Sequence, residues 1–97
     1  MQFEWDENKR LANIEKHGID FIRAQRIFDD VHLSADLPYE SEPRWVAIGL
    51  MDGREIAVIY TMRGKDTIRL ISARRARDNE RKRFQELYQR ATGENGC

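Results

Sequence analysis

The sequence predicts an α+β fold in which helices pack on a mainly antiparallel sheet. Two of the observations behind this lie in the C-terminal half. The tight-turn pair Asp52-Gly53 joins two apolar, strand-like runs, and a helical pattern follows the last strand. A third lies near the N-terminus, where aspartates that can cap helices precede two segments with helical spacing. The predicted order is β-α-α-β-β-β-β-α.

The N-terminal segment is predicted to form a short strand and then a capped helix. Residues 2–5 alternate and carry two aromatic side chains, which is typical of a brief strand. Asp6 follows, and its carboxylate can accept hydrogen bonds from the free N–H groups of a first helical turn. The helix is expected to turn Leu11 and Ile14 inward and to end at Gly18.

A second helix and a weaker strand come next. Asp20 is the second predicted cap, and apolar residues recur at helical spacing over residues 21–28. Residues 31–37 are weakly strand-like, and residues 38–43 are predicted to form a polar loop.

The C-terminal half is predicted to form a three-strand meander and a last helix. The strands are expected over residues 44–51, 55–62 and 67–74, with turns between them. Strict alternation in the third strand puts two sets of residues on opposite faces: Ile68, Leu70, Ser72 and Arg74 on one, Thr67, Arg69, Ile71 and Ala73 on the other. The helix is expected to end at Gly93 with four residues on its apolar face, Phe84, Leu87, Tyr88 and Ala91.

Length and composition indicate one domain. The chain has 97 residues, of which 40% are hydrophobic and 35% are charged. We expect one domain over residues 1–92 and a disordered tail over residues 93–97. The one cysteine, Cys97, cannot form an internal disulfide, which suits a reducing cytoplasm. The N-terminal residues are polar and charged, so we expect no signal peptide, and no apolar run approaches the roughly 20 residues of a membrane helix.

Positive charge is concentrated late in the chain. Residues 63–97 hold ten Lys/Arg against five Asp/Glu, whereas residues 1–62 hold seven against twelve. The neutral chain therefore combines a half with a net charge of +5 and a half with −5, which favours contact with a polyanion through one surface. An ordinary solvated cluster, in which the arginines of residues 68–77 pair with nearby carboxylates, stays equally open.

Four residues are candidates for chemistry on a phosphate. Arg63 and Arg74 lie near strand ends, and an arginine fork binds phosphate through two donors. His17 lies at the predicted end of the first helix, where the helix dipole favours the imidazolium. Lys9 precedes it by eight residues, which places the two side chains within about 80° on the helix. The alternatives are that His17 only caps carbonyls and that Lys9 is an ordinary exposed lysine.

The assembled pattern resembles the BrnT family of toxins over about residues 2–88. The resemblance is carried by two specific anchors, Lys16-His17-Gly18 and the arginine segment that ends in Arg74-Arg75-Ala76. Shorter matches support it: Phe3-Glu4-Trp5-Asp6, Lys9, Asn13, Phe21, Ala24, Phe28-Asp29-Asp30, Ile48-Gly49, Ile59-Tyr60-Thr61, Arg63-Gly64 and Glu80-Arg81.

The resemblance implies a RelE-like fold and a toxin of a type II toxin–antitoxin system. Proteins of this family are ribonucleases that block translation. They are neutralised by BrnA antitoxins, whose ribbon-helix-helix domain binds the promoter of the operon, so that DNA is contacted through the antitoxin in a heteromeric complex.

RNA cleavage is compatible with the candidate residues. Because RNA carries its own nucleophile, the 2′-OH, neither a metal nor another cofactor is required. Arg63 and Arg74 would stabilise the charge of the transition state, and His17 would transfer a proton. Lys9 would act as a base or as a phosphate clamp, while Glu80 would act as a base or orient an arginine. RNA is expected to contact a further set of arginines: Arg69, Arg75, Arg77 and Arg81.

Two other functions fit the same basic surface. One is a non-catalytic protein that binds nucleic acid or the ribosome. The other is an interaction domain whose arginines contact an acidic partner.

Overall fold

A computed structural model describes residues 1–38 and 41–92 of the chain. In this part, the strands form one sheet in the order β1-β5-β4-β3-β2, in which β1 runs parallel to β5 and the other neighbours are antiparallel. The elements in chain order are β1 (Gln2–Glu4), α1 (Glu7–His17), α2 (Phe21–Ala24) with a 3₁₀ turn (Gln25–Asp29), β2 (Leu33–Leu37), β3 (Arg44–Met51), β4 (Arg54–Arg63), β5 (Thr67–Arg75) and α3 (Asp78–Thr92). The α+β class and the predicted order are confirmed.

Several predictions fall beyond this part of the chain. The helix end at Gly93 and the disordered tail over residues 93–97 lie outside the described residues, as do residues 39 and 40 of the predicted polar loop.

Local signals start and stop the elements where the sequence indicates. Asp6 accepts a hydrogen bond from the N–H of Asn8 at 2.8 Å, and Asp20 accepts one from Ile22 at 2.9 Å, so both caps are confirmed. The first helix ends at Gly18 in the left-handed conformation, with φ of 71°. The turn between β3 and β4 has positive φ at both central residues, as Asp-Gly hairpins do.

Each face of the sheet carries a hydrophobic cluster. On the first face, α2 and the 3₁₀ turn bury Phe21, Ala24 and Ile27. On the second face, α3 packs Phe84 against Val46, Ile48 and Ala57 of the central strands. The predicted inward set of α3 is correct for Phe84 and for the half-buried Leu87 and Tyr88, whereas Ala91 is exposed.

The predicted inward face of α1 is wrong. Leu11 is 52% exposed and Ile14 is 36% exposed, and the buried residue of this helix is Asn13. The helix does not lie flat on a sheet face, because it runs beside the edge of β5, where Asn13 forms hydrogen bonds with the strand backbone. An apolar face is not needed for that contact.

The predicted alternation in β5 is also wrong, because the strand contains a bulge. Tyr60 pairs with Leu70 and Ile59 pairs with Ser72, so Ile71 is an extra residue. Beyond the bulge the faces exchange, and Ala73 joins the first cluster together with Leu70. The affected side chains now divide differently: Leu70 and Ala73 face the first cluster, while Arg69, Ser72 and Arg74 share the second side.

Candidate functional site

A small groove of about 180 Å³ lies between α1 and the free edge of β5. It contains both of the α1 residues that sequence analysis placed at one site, Lys9 and His17. The helix lines one wall and the bulged part of β5 lines the other. The lining residues are Lys9, Ala12, Asn13, Lys16, His17, Ile71 and Ser72.

The groove exists because β5 loses its neighbour part-way along. The parallel pairing with β1 covers only Thr67 to Arg69 of β5. Beyond that point α1 takes the edge, and its buried Asn13 exchanges two hydrogen bonds with the backbone of Ala73, at 2.9 and 3.1 Å. A third bond, from the same amide group to the carbonyl of Ile19 at 2.8 Å, ties in the turn that follows α1. The helix is therefore held beside the bulge.

The bulge brings a hydroxyl group to the groove. Ser72 is half-buried, and its hydroxyl donates to Oδ1 of Asn13 at 3.4 Å. It follows Ile71, the extra residue of the strand. Bulges are common beside active sites because they re-aim side chains in this way.

The ionisable groups that line the groove are basic. Lys9 and Lys16 are exposed, whereas His17 is half-buried at the last turn of α1. No carboxylate is among the lining residues of this described pocket. Clustered ammonium and imidazole groups beside hydroxyl and amide groups favour an anionic ligand.

Arg74 flanks the groove residues on β5 and is held by Glu80. The two side chains form a bidentate ion pair, with Nη1–Oε1 at 2.8 Å and Nη2–Oε2 at 3.0 Å. Glu80 also accepts the backbone N–H of Arg77 at 2.8 Å, which satisfies the start of α3. Hydrogen bonding to Arg74 and then to Arg77 outweighs burial and lowers the pKa of Glu80. An ionised carboxylate with three donors is poorly suited to act as a base, so the geometry favours the orienting role.

Arg69 lies on the other flank of the bulge. Its Nη1 donates to Oε2 of Glu4 on β1 at 2.7 Å. The β4 partners of Arg69 and Arg74, which are Thr61 and Ala57, lie four residues apart, which corresponds to roughly 13 Å along the strand. Two carboxylate-paired arginines therefore stand on one side of the sheet, on either side of Ser72.

Arg63 is not brought to Arg74, although it lies only two residues along β4 from Thr61, the partner of Arg69. It pairs with Thr67 at the far end of the β4–β5 hairpin, whereas Arg74 lies opposite Ala57. Those β4 positions are six residues apart, which places Arg63 roughly 20 Å from Arg74 along the strand. Both arginines lie near strand ends, which is why the sequence predicts a shared site, but the two ends are opposite ones.

The other predicted RNA contacts are exposed but differ in direction. Arg75 lies opposite Ile56 of the first cluster, so it faces away from Arg74. Arg77 precedes α3, and Arg81 forms an ion pair with Asp78 on the helix surface. An open concavity of about 630 Å³ is lined by α3 residues alone: Asp78, Asn79, Arg81, Lys82 and Gln85. This concavity is lined by both acidic and basic side chains.

Three residues that the sequence pattern does not single out for a role, Asn13, Ser72 and Arg10, contribute to this region. Arg10 bonds to Glu7 and to Asp20 on the next helix cap, and these carboxylates raise its pKa above the usual range. It thereby joins α1 to α2. The sequence does contain a signal for Asn13. It is a polar residue at the centre of α1, and asparagine is disfavoured within helices unless its side chain has a hydrogen-bond partner.

Among residues 1–38 and 41–92, no helix is long and apolar enough to cross a membrane. The same part of the chain contains no cluster of three or more His, Cys, Asp or Glu side chains arranged to hold a metal.

Residues 5–80 match the sequence model of the family described as ribonuclease toxin, BrnT, of type II toxin-antitoxin system. The chain belongs to the BrnT family. The BrnT match includes α1 and β5, hence every groove residue, and it ends at Glu80.

A solved structure agrees with the BrnT assignment. The ribonuclease toxin BrnT of Brucella abortus, a crystal structure at 1.1 Å resolution, is 34% identical and superposes with a TM-score of 0.62. The alignment covers 80% of this chain and 99% of that one. No curated protein matches the chain. The resemblance inferred from the sequence is confirmed at the level of the family and its α+β fold.

Proposed function

We propose that this BrnT-family chain is an endoribonuclease that cleaves RNA in the groove between α1 and β5. One observation carries the proposal: a basic groove with a histidine and a hydroxyl group is flanked by two arginines that carboxylates hold in place. Membership of a ribonuclease toxin family supports it.

The reaction uses the nucleophile of the substrate. The RNA 2′-oxygen attacks the adjacent phosphorus while the bond from phosphorus to the 5′-oxygen breaks. A base takes the proton of the 2′-OH, and an acid gives a proton to the departing 5′-oxygen. Donors must stabilise the charge that builds on the phosphoryl oxygens. Neither a metal nor another cofactor is needed for these steps.

The groove residues divide these roles. His17 transfers a proton, since imidazole exchanges protons near neutral pH. Lys9, which lies eight residues before His17 on the same helix and also lines the groove, binds the phosphate or assists as base. Arg74 stabilises the developing charge, because Glu80 fixes its guanidinium before RNA arrives. Arg69, which Glu4 holds in place, binds the neighbouring phosphate.

The remaining basic residues would position the RNA backbone. Arg77 and Arg81 would extend the basic surface onto α3. Arg75 would contact RNA that passes around the edge of the sheet to its opposite side. Arg63 is too distant from Arg74 to share its role, so we give it no part in cleavage.

The partner expected for a type II toxin is a protein antitoxin. We propose a BrnA-like ribbon-helix-helix antitoxin that forms a heteromeric complex with the chain and contacts DNA for it. Family membership supports this proposal. The toxin would act in the cytoplasm, where it would inhibit translation by cleaving RNA.

The test compares RNA cleavage by the wild type, His17→Gln and Arg63→Gln. We expect His17→Gln to lose activity by about two orders of magnitude, since general acid–base catalysis contributes on this scale. Arg63→Gln, which removes a charge roughly 20 Å from Arg74 along the strand, should cleave at nearly the wild-type rate. Binding without cleavage by any form, with ribosomes or without, would instead identify a non-catalytic RNA-binding protein.

A further inference from the structure

Asn13 is a buried polar residue to which the proposed chemistry gives no task. It is 6% exposed at the middle of α1. Its Nδ2 donates to the carbonyl oxygens of Ile19 and Ala73. Its Oδ1 accepts from the N–H of Ala73 and from the hydroxyl of Ser72. An asparagine amide has two donors and two acceptor positions, so the capacity of Asn13 is fully used.

The hydrogen bonds also fix which way the amide faces. Two carbonyl oxygens surround Nδ2, and two donors surround Oδ1. Reversing the amide would set oxygen against oxygen and leave buried groups unpaired, which is costly. The arrangement therefore admits one orientation.

Asn13 stands where another strand would pair with β5. A neighbouring strand supplies one donor and one acceptor to a residue of the edge, and the Asn13 amide supplies both to Ala73. The position of α1 along β5 is tied in this way to a single strand residue, just beyond the bulge.

Asn13 also fixes how the residues on the two walls of the groove are aligned with each other. Lys9 precedes Asn13 by four residues and His17 follows it by four, about one helical turn in each direction. On the opposite wall, the hydroxyl of Ser72 is bonded to the same amide oxygen. Moving Asn13 would move the basic residues relative to Ser72.

We infer that Asn13 is a positioning residue of the site, which fixes Lys9 and His17 against the bulged strand. It does not contact the reacting atoms. The catalytic part of this inference rests on the proposed function. A displacement of about 1 Å in an active site can reduce the rate on the order of 10²-fold, so loss of this positioning should reduce turnover.

The first test measures hydrogen exchange, which is independent of catalysis. In the wild type the Ala73 amide is protected by Asn13. In Asn13→Ala it should exchange at least about tenfold faster relative to the Val58 amide across the hairpin. Ile27→Ala, a buried change in the 3₁₀ turn that packs on the same cluster as both residues, should lower protection of both amides alike. An Ala73 amide that keeps its relative protection in Asn13→Ala would overturn the inference.

The second test measures kcat and KM with RNA. Asn13→Asp keeps the acceptor for Ala73 but turns a carboxylate oxygen toward two carbonyls. We expect kcat to fall at least about tenfold in Asn13→Asp and Asn13→Ala, with KM changed much less. Ile27→Ala, chosen for its loss of stability and assayed where all variants remain folded, should keep its kcat.

The outcomes separate the two proposals. Unchanged kcat in the Asn13 variants, with an active wild type, would remove the positioning role and leave the ribonuclease proposal intact. A wild type without activity would refute the ribonuclease proposal, and the exchange of Ala73 would still decide whether Asn13 ties α1 to β5.

Discussion

Arg69 and Arg74 lie on the same side of the sheet, although they are five positions apart along β5. Regular alternation would put them on opposite sides. The extra residue Ile71 reverses the order, so both arginines share the side on which Ser72 lies. Each is then held by a carboxylate from another element, Glu4 for Arg69 and Glu80 for Arg74. The bulge therefore assembles the charged part of the site.

Replacing Arg74 by lysine should impair cleavage while the protein stays folded. Lysine keeps the charge but cannot form the bidentate pair with Glu80, so the cation would not be held in one position. We expect the rate of RNA cleavage to fall by about 10²-fold, as for the loss of one preorganised donor. The matched control is Arg75→Lys, next in sequence but on the opposite side. Equal effects of the two changes would contradict the assigned role of Arg74.

Glu80→Gln should destabilise the fold at neutral pH by about 1–3 kcal/mol, because the half-buried Arg74 loses a charged hydrogen-bond partner. Urea unfolding measures the loss. The control is Glu86→Gln on the exposed side of α3, which should change stability little.

The pH dependence of stability has a definite sign at Glu80. Its pKa is lower in the folded state than in the unfolded chain, so its stabilising effect is complete above the unfolded pKa of about 4.3. That effect is lost as pH falls from there through the folded pKa. The difference in the free energy of unfolding between wild type and Glu80→Gln, measured from pH 7 to pH 3, should become smaller as pH falls below the unfolded pKa. A constant difference over this range would contradict the ion pair.

Lys9→Gln and Lys16→Gln should weaken RNA binding by a salt-dependent amount. Each lysine lines the groove and would neutralise one phosphate. For single-stranded RNA the slope of log K against log salt should decrease by about 0.7 for each contact removed. Lys65→Gln, at the exposed β4–β5 turn, is the charge-matched control and should leave the slope unchanged. An equal change in all three variants would point to a diffuse charge effect.

Gly49→Ala should destabilise the protein by about 1–3 kcal/mol, as overpacking of a core does. A Cβ at this position would lie 2.8 Å from Cβ of the buried Ile27. Since Gly49 is on β3, away from the groove, cleavage by the folded fraction should not change. Thermal or urea unfolding measures the effect, and unchanged stability would contradict the close approach of the 3₁₀ turn to the sheet.

Sequence signals were sufficient for elements that local chemistry determines. The caps at Asp6 and Asp20, the Gly18 terminus and the Asp52-Gly53 turn each depend on a few neighbouring residues, and all are found. The family resemblance likewise rested on contiguous motifs, and the family is confirmed.

What the sequence could not reveal depends on strand register and tertiary contacts. The bulge at Ile71 appears only when β5 is paired with β4, so simple alternation predicts the wrong face for the residues beyond it. Apolar spacing predicts that Leu11 and Ile14 face inward, whereas a polar contact by Asn13 decides the position of α1. The distance between Arg63 and Arg74 also follows only from pairing.

The most direct test of the central claim is the chemistry of the RNA ends formed in EDTA. Attack by the 2′-OH leaves a 2′,3′-cyclic phosphate on one product and a 5′-hydroxyl on the other, and chelation should not slow it. We expect these ends from the wild type and from Arg63→Gln, with product formation reduced by about 10²-fold in His17→Gln. Cleavage that requires a divalent metal, or products that carry 5′-phosphates, would contradict a metal-independent reaction in this groove.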